Sequence, residues 1–275
     1  MKFTTAITSA VLATGALAAP RPGLVNRLEA RGVLNRQSQP AHKFDNSGDK
    51  NGILLKEGSS STNVEYSKNW AGVVREQPPA SGTYTEVSAT FNVPEPTATD
   101  NSGTTQAVSA WVGIDGDTYT QAILQTGIDA YISGGQTFFD AWYEWYPNAA
   151  DNFDIELTAG DVIVATVKSS SPSHGIAIIE NQSTGDSVTK SLSAPSTSAT
   201  LGGQNAEWIV EDFNSGDNMV PLAAFDTITF SGAQAKGADG EYGVNNASIL
   251  DMQQNGVLLA EVEIQSDTQF TVTYK

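Results

Sequence analysis

The chain has 275 residues and a formal net charge of −17, from 14 lysines and arginines against 31 aspartates and glutamates, with no cysteine and two histidines. These counts exclude a disulfide framework, a thiolate nucleophile, a zinc finger and a three-histidine zinc site. They also argue against nucleic acid as a partner, because an acidic surface repels phosphate.

The first eighteen residues have the pattern of a secretory signal peptide. Lys2 supplies a positive charge, residues 6–17 are apolar or small, and Ala16 and Ala18 fit the small-x-small rule for cleavage after Ala18. This apolar run is too short to span a membrane, and no later run is long enough. We therefore expect a secreted, extracellular protein that has no membrane partner.

A basic segment precedes an acidic body. Residues 19–59 hold seven bases and four acids, whereas the chain from residue 60 onward holds six bases and 27 acids. The opposite charges predict a pro-peptide that lies on the body as an intramolecular inhibitor, with an approximate boundary at residue 59. Acidification would weaken this attraction and permit self-cleavage, and high salt at neutral pH would test it. A disordered linker is the alternative, which the polar stretch 45–52 supports for part of the segment.

Residues 60–275 are predicted to form one all-β domain. Apolar and polar residues alternate with period two or β-branched residues accumulate in five stretches: 83–93, 161–168, 226–230, 257–265 and 270–274. Turn signals such as Asp-Gly and Asn-Gly separate such stretches. We predict a sandwich of two large antiparallel sheets, of the jelly-roll or concanavalin-like kind.

Two surface features are expected on this domain. Residues 97–106 (TATDNSGTTQ) are small and polar, which is typical of an exposed loop that proteases can nick. Asn181 and Asn246 begin N-glycosylation sequons. The sequence leaves open whether the loop is excised and whether either asparagine carries a glycan.

Most catalytic motifs are absent. His174 lies in a Ser-Pro-Ser-His-Gly turn without a G-x-S-x-G elbow, so we expect a surface histidine rather than a triad member. The chain has no H-E-x-x-H motif, no P-loop and no pair of Asp-Thr/Ser-Gly loops for an aspartic protease. Two-carboxylate glycoside hydrolysis stays open, because acids and aromatic residues are plentiful.

Five blocks rich in Trp, Tyr, amides and acids stand out on the predicted strands. They are Asn69–Gly72, Trp111–Gly116, Ala122–Gly127, Asp140–Pro147 and Asn205–Phe213. Asp140, Trp142, Glu144 and Tyr146 share one face of a strand, because side chains alternate across it. A face with carboxylates and rings indicates a binding groove, although some of the tryptophans are expected in the core.

The blocks NWAG, WVGIDG, AILQTG, DAWYEWYP and NAEWIVEDF, in this order, resemble the fungal glutamic peptidases, the eqolisin family. The resemblance covers residues 64–275 and implies a β-sandwich and a secreted, pepstatin-insensitive endopeptidase that cleaves polypeptides at acid pH. By motif, the family's catalytic dyad falls on Gln125 and Glu207, with Glu211 on the same strand face as the competing acid. The family's substrate-cleft positions fall on Trp70, Trp111, Asp115, Gly116 and Glu144.

This dyad implies direct attack by water, without a metal, a cofactor or an acyl-enzyme. Glu207 would take the proton of the water and return it to the leaving amine. Gln125 would donate its amide N–H to the developing oxyanion. A glutamate with a pKa of about 4.3 is partly ionised in acid, where a histidine base is protonated.

Family members often carry a cysteine shortly after the WVGIDGDT block, where this chain has Tyr119, so the fold is expected to hold without a disulfide. The alternative function is a carbohydrate-binding or glycoside-hydrolysing β-sandwich, which has no account of Gln125. A third interpretation is an inactive secreted protein of the same fold. Nothing in the sequence indicates more than a monomer.

Overall fold

The computed structural model describes residues 36–44, 64–80 and 82–275. The predicted signal peptide and most of the predicted pro-peptide lie outside these residues. The described strands, in chain order, are β1 (Arg36–Gln37), β2 (Val64–Ser67), β3 (Trp70–Arg75), β4 (Tyr84–Asn92), β5 (Gln106–Ile114), β6 (Ile123–Ser133), β7 (Gln136–Tyr146), β8 (Asp151–Asn152), β9 (Val162–Ser171), β10 (His174–Asn181), β11 (Asp186–Ser193), β12 (Ala206–Glu211), β13 (Asn214–Ser215), β14 (Asn218–Met219), β15 (Thr227–Gly237), β16 (Gly240–Tyr242), β17 (Ser248–Gln254), β18 (Val257–Ser266) and β19 (Gln269–Tyr274). Within the described ranges, no helix is long and apolar enough to cross a membrane.

The strands form a large folded sheet and a small one. Along the large sheet the order is β11-β10-β9-β4-β15-β19-β18-β17-β3-β12-β5-β6-β7-β8, with β16 beside β15 and β2 beside β17. The small sheet has the order β1-β13-β14. Neighbouring strands are antiparallel apart from β2 and β17, and β4, β9 and β10 pack against β5 and β6. The predicted antiparallel sandwich is therefore confirmed.

Alternating side chains build the core between the two layers. Val87, Ala89 and Phe91 on β4 are buried, as the period-two pattern predicts. From the facing layer, β12 contributes the fully buried Trp208, whose Nε1 donates to the carbonyl of Ser88 at 2.9 Å. Each such large apolar side chain contributes about 1.5–3 kcal/mol when fully buried. The core therefore fixes which face of β12 points away from it.

One strand extends beyond its predicted stretch. Residues 226–230 were predicted to form a strand, and β15 continues to Gly237. Its register with β4 shifts between Ser231 and Gln234, and Gly232 takes a φ of 59° at this point. The bulge lets one strand pair with β19 along its first half and with β4 along its second half. A serine followed by a glycine is typical of the end of a strand. The sequence therefore did not predict that β15 continues past residue 230.

The polar features predicted for the surface differ in exposure. Residues 97–104 are exposed, whereas Gln106 is buried as the first residue of β5 and accepts the backbone N–H of Thr99 at 2.7 Å. His174 is exposed at the start of β10, as expected. Asn246 is exposed, but Asn181 is fully buried and donates to Asp161 Oδ2 at 2.9 Å. Only Asn246 therefore presents its sequon to solvent in this fold.

Tyr119 connects two loops at the position where the family often has a cysteine. Its hydroxyl donates to the carbonyl of Thr200 at 2.8 Å, and its backbone N–H donates to Asn205 Oδ1 at 3.1 Å. Its ring packs so closely on Gly202 that a Cβ there would come within 2.8 Å of it. Noncovalent contacts thus hold the loop before β12 against the loop after β5.

A second apolar cluster lies on the outer face of β3, β5, β6, β7, β12 and β17, away from the main core. Its members are Trp70, Val74, Trp111, Ile123, Trp142, Ile209 and Leu250. All are fully buried, and Ala41 of the segment 36–44 packs against them. This outer face, and not the core, carries the polar residues described next.

Candidate active site

Two polar side chains stand in one row across three neighbouring strands. Gln125 on β6 lies opposite Gly113 on β5, and Gly113 lies opposite Glu207 on β12. Adjacent strands are about 4.8 Å apart, so Gln125 and Glu207 flank the middle strand. A Cβ at Gly113 would come within 2.8 Å of the Trp111 ring and 3.4 Å of the Gln125 Cβ. Glycine at this position therefore leaves room for the edge of the Trp111 ring between the amide and the carboxyl group.

The two side chains of this row are buried without hydrogen bonds. Gln125 and Glu207 are fully buried, and none of their four side-chain polar atoms has a hydrogen-bond partner among the described residues. A buried unsatisfied polar group costs about 1–3 kcal/mol, so these atoms do not stabilise the fold. Unsatisfied groups of this kind are typical of functional positions.

Burial also changes the acidity of Glu207. Removal from water raises the pKa of the Glu207 carboxyl well above its usual value, and the nearby carboxylates of Asp117 and Asp115 raise it further. The nearby backbone N–H of Asp117 and the charge of Lys43 act in the opposite direction. The net effect favours the protonated form of Glu207 over a wider pH range than in a free glutamate.

Glu211, the competing acid, differs from Glu207 in position and in partners. It shares the outer face of β12 but lies opposite Ser109, in another row. Its carboxylate accepts hydrogen bonds from Trp111 Nε1 at 3.0 Å and from Ser38 Oγ at 2.8 Å. The acids that alternation could not separate thus fall into two rows, and only Glu207 shares a row with Gln125.

Three carboxylates surround the side chain of Arg36. Its Nε donates to Asp129 Oδ1 at 3.0 Å and its Nη1 to Glu144 Oε2 at 2.9 Å. Its Nη2 donates to Glu211 Oε2 at 3.5 Å. The guanidinium carbon lies 3.5 Å from the ring centroid of Trp142, and the side chain is completely buried. We call this set, together with Ser109, the Arg36 pocket.

A second basic residue anchors the other end of the segment. Lys43 Nζ lies 2.8 Å from Asp117, 2.5 Å from Glu76 and 2.9 Å from Glu65. Its side chain is 24% exposed, unlike that of Arg36. Burial raises the pKa of Asp117 to about 6, although Lys43 opposes the shift. Arg36 therefore holds one end of the segment in a fully buried site, and Lys43 holds the other end in a partly exposed one.

Backbone hydrogen bonds hold the segment between these anchors. β1 extends the β13–β14 hairpin, with Arg36 opposite Ser215. Further along, Ala41 N donates to the carbonyl of Gly116 at 3.1 Å. Asn69 accepts the N–H of His42 at 2.8 Å and donates to the carbonyl of Pro40 at 3.1 Å. The segment thus crosses the outer face in the way an extended peptide would.

The predicted cleft residues fall into two groups. Trp70 and Trp111 lie on the outer face in edge-to-face contact, 5.0 Å between ring centroids, and Glu144 lies in the Arg36 pocket. Gly116 contacts the segment through its carbonyl, and a Cβ there would come within 2.8 Å of Trp70. Asp115 does not face the segment, because its carboxylate is fully engaged by a neighbouring loop.

Asp115 holds the loop that leads into β12. Its Oδ2 accepts the backbone N–H groups of Gly202 and Gly203 at 2.8 and 2.9 Å. Its Oδ1 accepts those of Gln204 and Asn205 at 2.7 and 3.2 Å. The next strand begins at Ala206, so this carboxylate fixes the approach to Glu207.

Replacing Asp115 with alanine should destabilise the protein, because four backbone N–H groups lose their acceptor in a buried loop. We expect a loss of about 2–4 kcal/mol in the free energy of unfolding, with a smaller loss in Asp115→Asn, which keeps one acceptor oxygen. Urea unfolding at acid pH measures both. An alanine variant as stable as the wild type would contradict this role.

Two partners of the site were not predicted. Asp129 is four residues after Gln125 on β6, and this even spacing places it on the same face, a signal that was available. Arg36 was one of seven bases in the predicted pro-peptide, and nothing near it in sequence marks it as the residue that enters the pocket.

Comparisons with known proteins agree with the sequence motifs. The profile of the peptidase A4 family matches residues 68–274. The chain is 42% identical to aspergillopepsin-2 of Aspergillus niger over 100% of both chains, and 36% identical to scytalidopepsin B of Scytalidium lignicola over 96% of this chain and 94% of that one. A crystal structure of scytalido-glutamic peptidase with a transition state analog inhibitor has a TM-score of 0.67 at 36% identity, covering 76% of this chain and 98% of that one. The matched range includes every strand that contributes to the row of Gln125 and Glu207.

Proposed function

Because this chain belongs to the peptidase A4 family and is a glutamic peptidase that acts on proteins, we propose that Glu207 and Gln125 are its catalytic pair. The observation that carries this proposal is the row in which the two buried, unpartnered side chains flank Gly113. The saccharide alternative is not retained, because the matching family and both relatives are peptidases.

In this mechanism Glu207 acts on a water molecule that attacks the peptide carbonyl directly. A base must be ionised, whereas burial raises the pKa of Glu207 and so opposes its ionisation in the inactive form. Removal of the segment admits water, which lowers the pKa of Glu207 toward its ordinary value of about 4.3. The carboxylate can then take the proton of the attacking water and return it to the leaving amine, without a metal ion.

Gln125 supplies the second function. Its amide N–H does not titrate, so it remains a hydrogen-bond donor at acid pH. From the other side of Gly113, across from Glu207, it can donate to the oxyanion that forms as water attacks. A donor of this kind contributes about 3–4 kcal/mol to stabilisation of the transition state.

Digestion of an unfolded protein substrate at about pH 3 tests the activity, because a glutamate near its reference pKa begins to ionise there. The protein is first incubated in acid until its N-terminal segment is removed, and pepstatin or EDTA is added in parallel. We expect cleavage that neither inhibitor reduces. Protein that has lost the segment and still cleaves nothing would contradict the proposed function.

We also propose that residues 19–59 are a pro-peptide that inhibits the enzyme by occupying its substrate cleft. The segment 36–44 supports this, since it lies extended across the outer face that carries Gln125 and Glu207, both of which are fully buried. Residues 1–18, as a signal peptide, would direct the protein out of the cell, where it would act as a monomer. The pro-peptide would then keep it inactive until it reaches an acidic medium.

The structure changes how the release of the pro-peptide should be tested. The sequence suggested that high salt would weaken an electrostatic lock, but the side chain of Arg36 is completely buried, and buried pairs are poorly screened. Protonation of the surrounding carboxylates removes their charge directly. We therefore expect acid to release the segment far more effectively than salt.

A further inference from the structure

The orientation of the Gln125 amide decides whether it can assist catalysis. Nε2 donates hydrogen bonds and Oε1 accepts them, and the two orientations of the amide have nearly the same shape. An oxyanion needs Nε2. Neither atom has a hydrogen-bond partner among the described residues, so the described contacts leave the orientation undetermined.

The polar side chain of Glu144 is placed to determine the orientation of the Gln125 amide. β7 puts it directly opposite Gln125, and Gly113 on the other side has no side chain. Along β6 the same face continues with Ile123 and Gly127, which offer no polar side-chain atom. Opposite residues of an antiparallel pair have Cβ atoms about 4.5–5.5 Å apart, which a carboxyl and an amide can bridge.

One oxygen of Glu144 is available for this contact. Oε2 accepts hydrogen bonds from Arg36 Nη1 at 2.9 Å and from Ser38 N at 3.3 Å. Oε1 is buried and has no partner among the described residues. Oε2 loses its contacts to Arg36 and Ser38 once the segment leaves.

The charge of Glu144 sets the direction of a hydrogen bond to Gln125. An ionised carboxylate only accepts, so it would attract Nε2 and turn the donor away from the reacting carbonyl. A protonated carboxyl group donates its O–H to Oε1 and leaves Nε2 free. Only the protonated form therefore supports the role proposed for Gln125.

We propose that protonated Glu144 is a positioning residue, which holds Oε1 of Gln125 and turns Nε2 toward the space between Gln125 and Glu207. This inference rests on the proposed function of that pair. The acid that binds the segment in the inactive form thus orients the amide in the active form. When Glu144 loses its proton, the amide of Gln125 turns over, so that Nε2 points toward Glu144, and kcat falls.

The surroundings of Glu144 keep it protonated in acid. Burial raises its pKa to about 8, while Arg36 lowers it and Glu211 raises it. Departure of the segment removes the opposing charge of Arg36, and entry of water reduces the effect of burial. The charged groups near Glu144 on neighbouring elements are Arg36, Asp129, Glu211, Asp151 and Lys190.

The test compares kcat and KM of the mature wild type, Glu144→Gln and Glu144→Leu, from about pH 2 to about pH 7, on one fluorogenic peptide. Glutamine donates through its own amide at every pH, so its kcat should persist about one pH unit further toward neutrality than that of the wild type. Leucine offers no hydrogen bond, so at the acid pH values where Glu144 of the wild type is protonated kcat should fall about tenfold while KM stays within about twofold.

Glu211→Gln is the matched control, because it removes another carboxylate of the Arg36 pocket that lies in a different row; the loss of its charge lowers the pKa of Glu144, so the alkaline limit of its kcat should move toward acid, opposite to that of Glu144→Gln. Thermal unfolding shows that each variant is folded, and if Glu144→Leu does not fold, the profile of Glu144→Gln decides alone. An unchanged alkaline limit in Glu144→Gln overturns the inference. A wild type that cleaves nothing in acid contradicts the proposed function instead, so the two failures are distinguishable.

Discussion

Glu207→Gln and Gln125→Ala should each remove nearly all acid proteolysis, with kcat/KM lower by about 10²–10⁴. Glu207→Gln keeps the shape of the side chain and removes the group that accepts the proton of water. Gln125→Ala removes the donor on the other side of Gly113. Initial rates on a fluorogenic peptide at about pH 3, measured after the N-terminal segment has been removed, give both values.

Glu211→Gln is the matched control for this experiment, since it makes the same change on the same face of β12, four residues from Glu207. The carboxylate of Glu211 keeps the hydrogen bond from Trp111 Nε1 after the segment is removed, so it stays engaged in a row that does not contain Gln125. We expect this variant to keep activity within about tenfold of the wild type. A greater loss in Glu211→Gln than in Glu207→Gln would reverse the assignment.

Variants of the pair are expected not to remove their own segment, so each is matured by adding a trace of active wild type, which is then removed. The intact mass confirms that the segment is gone. Because the four polar atoms of Gln125 and Glu207 have no partners among the described residues, neither substitution breaks a hydrogen bond of the fold. Melting temperatures close to that of the wild type would show that lost activity is not lost structure.

The fold was largely predictable because period-two alternation records which face of a strand is buried. Val87, Ala89 and Phe91 were sufficient to orient β4, and the facing layer follows the same rule. β5 shows where the rule stops, since all nine of its residues are buried and its two faces cannot be told apart by polarity. One face packs in the core, and the other is covered by a segment from a distant part of the chain.

The partners within the site were less predictable, because they depend on register between distant strands. Alternation placed Glu207 and Glu211 on one face, but only the pairing of β12 with β5 shows which of them shares a row with Gln125. Asp115 was expected at the cleft, yet four backbone N–H groups from residues 202–205 take up its carboxylate. Such contacts join residues nearly ninety positions apart, beyond the reach of any local pattern.

Arg36→Ala should release the inhibitory segment prematurely. The substitution leaves the carboxyl groups of Asp129, Glu144 and Glu211 buried without their cation, and breaking a buried pair costs about 3–5 kcal/mol. Binding of the segment should therefore weaken by about 10²–10⁴-fold. A segment that binds more weakly needs less acid to be released, so self-cleavage should also begin at a higher pH.

Two further variants separate the contribution of Arg36 from that of charge in general. Arg36→Lys keeps the charge but cannot reach three carboxylates with a planar fork, so we expect an intermediate pH of activation. Lys43→Ala removes an anchor that is partly hydrated, and its effect should be near 1 kcal/mol, or about fivefold. Mass spectrometry of each full-length variant, incubated along a pH series, measures the onset of cleavage. If self-cleavage of Lys43→Ala begins at a higher pH than that of Arg36→Ala, the segment is held mainly by Lys43 at its partly exposed end. The buried Arg36 pocket would then not control release of the segment.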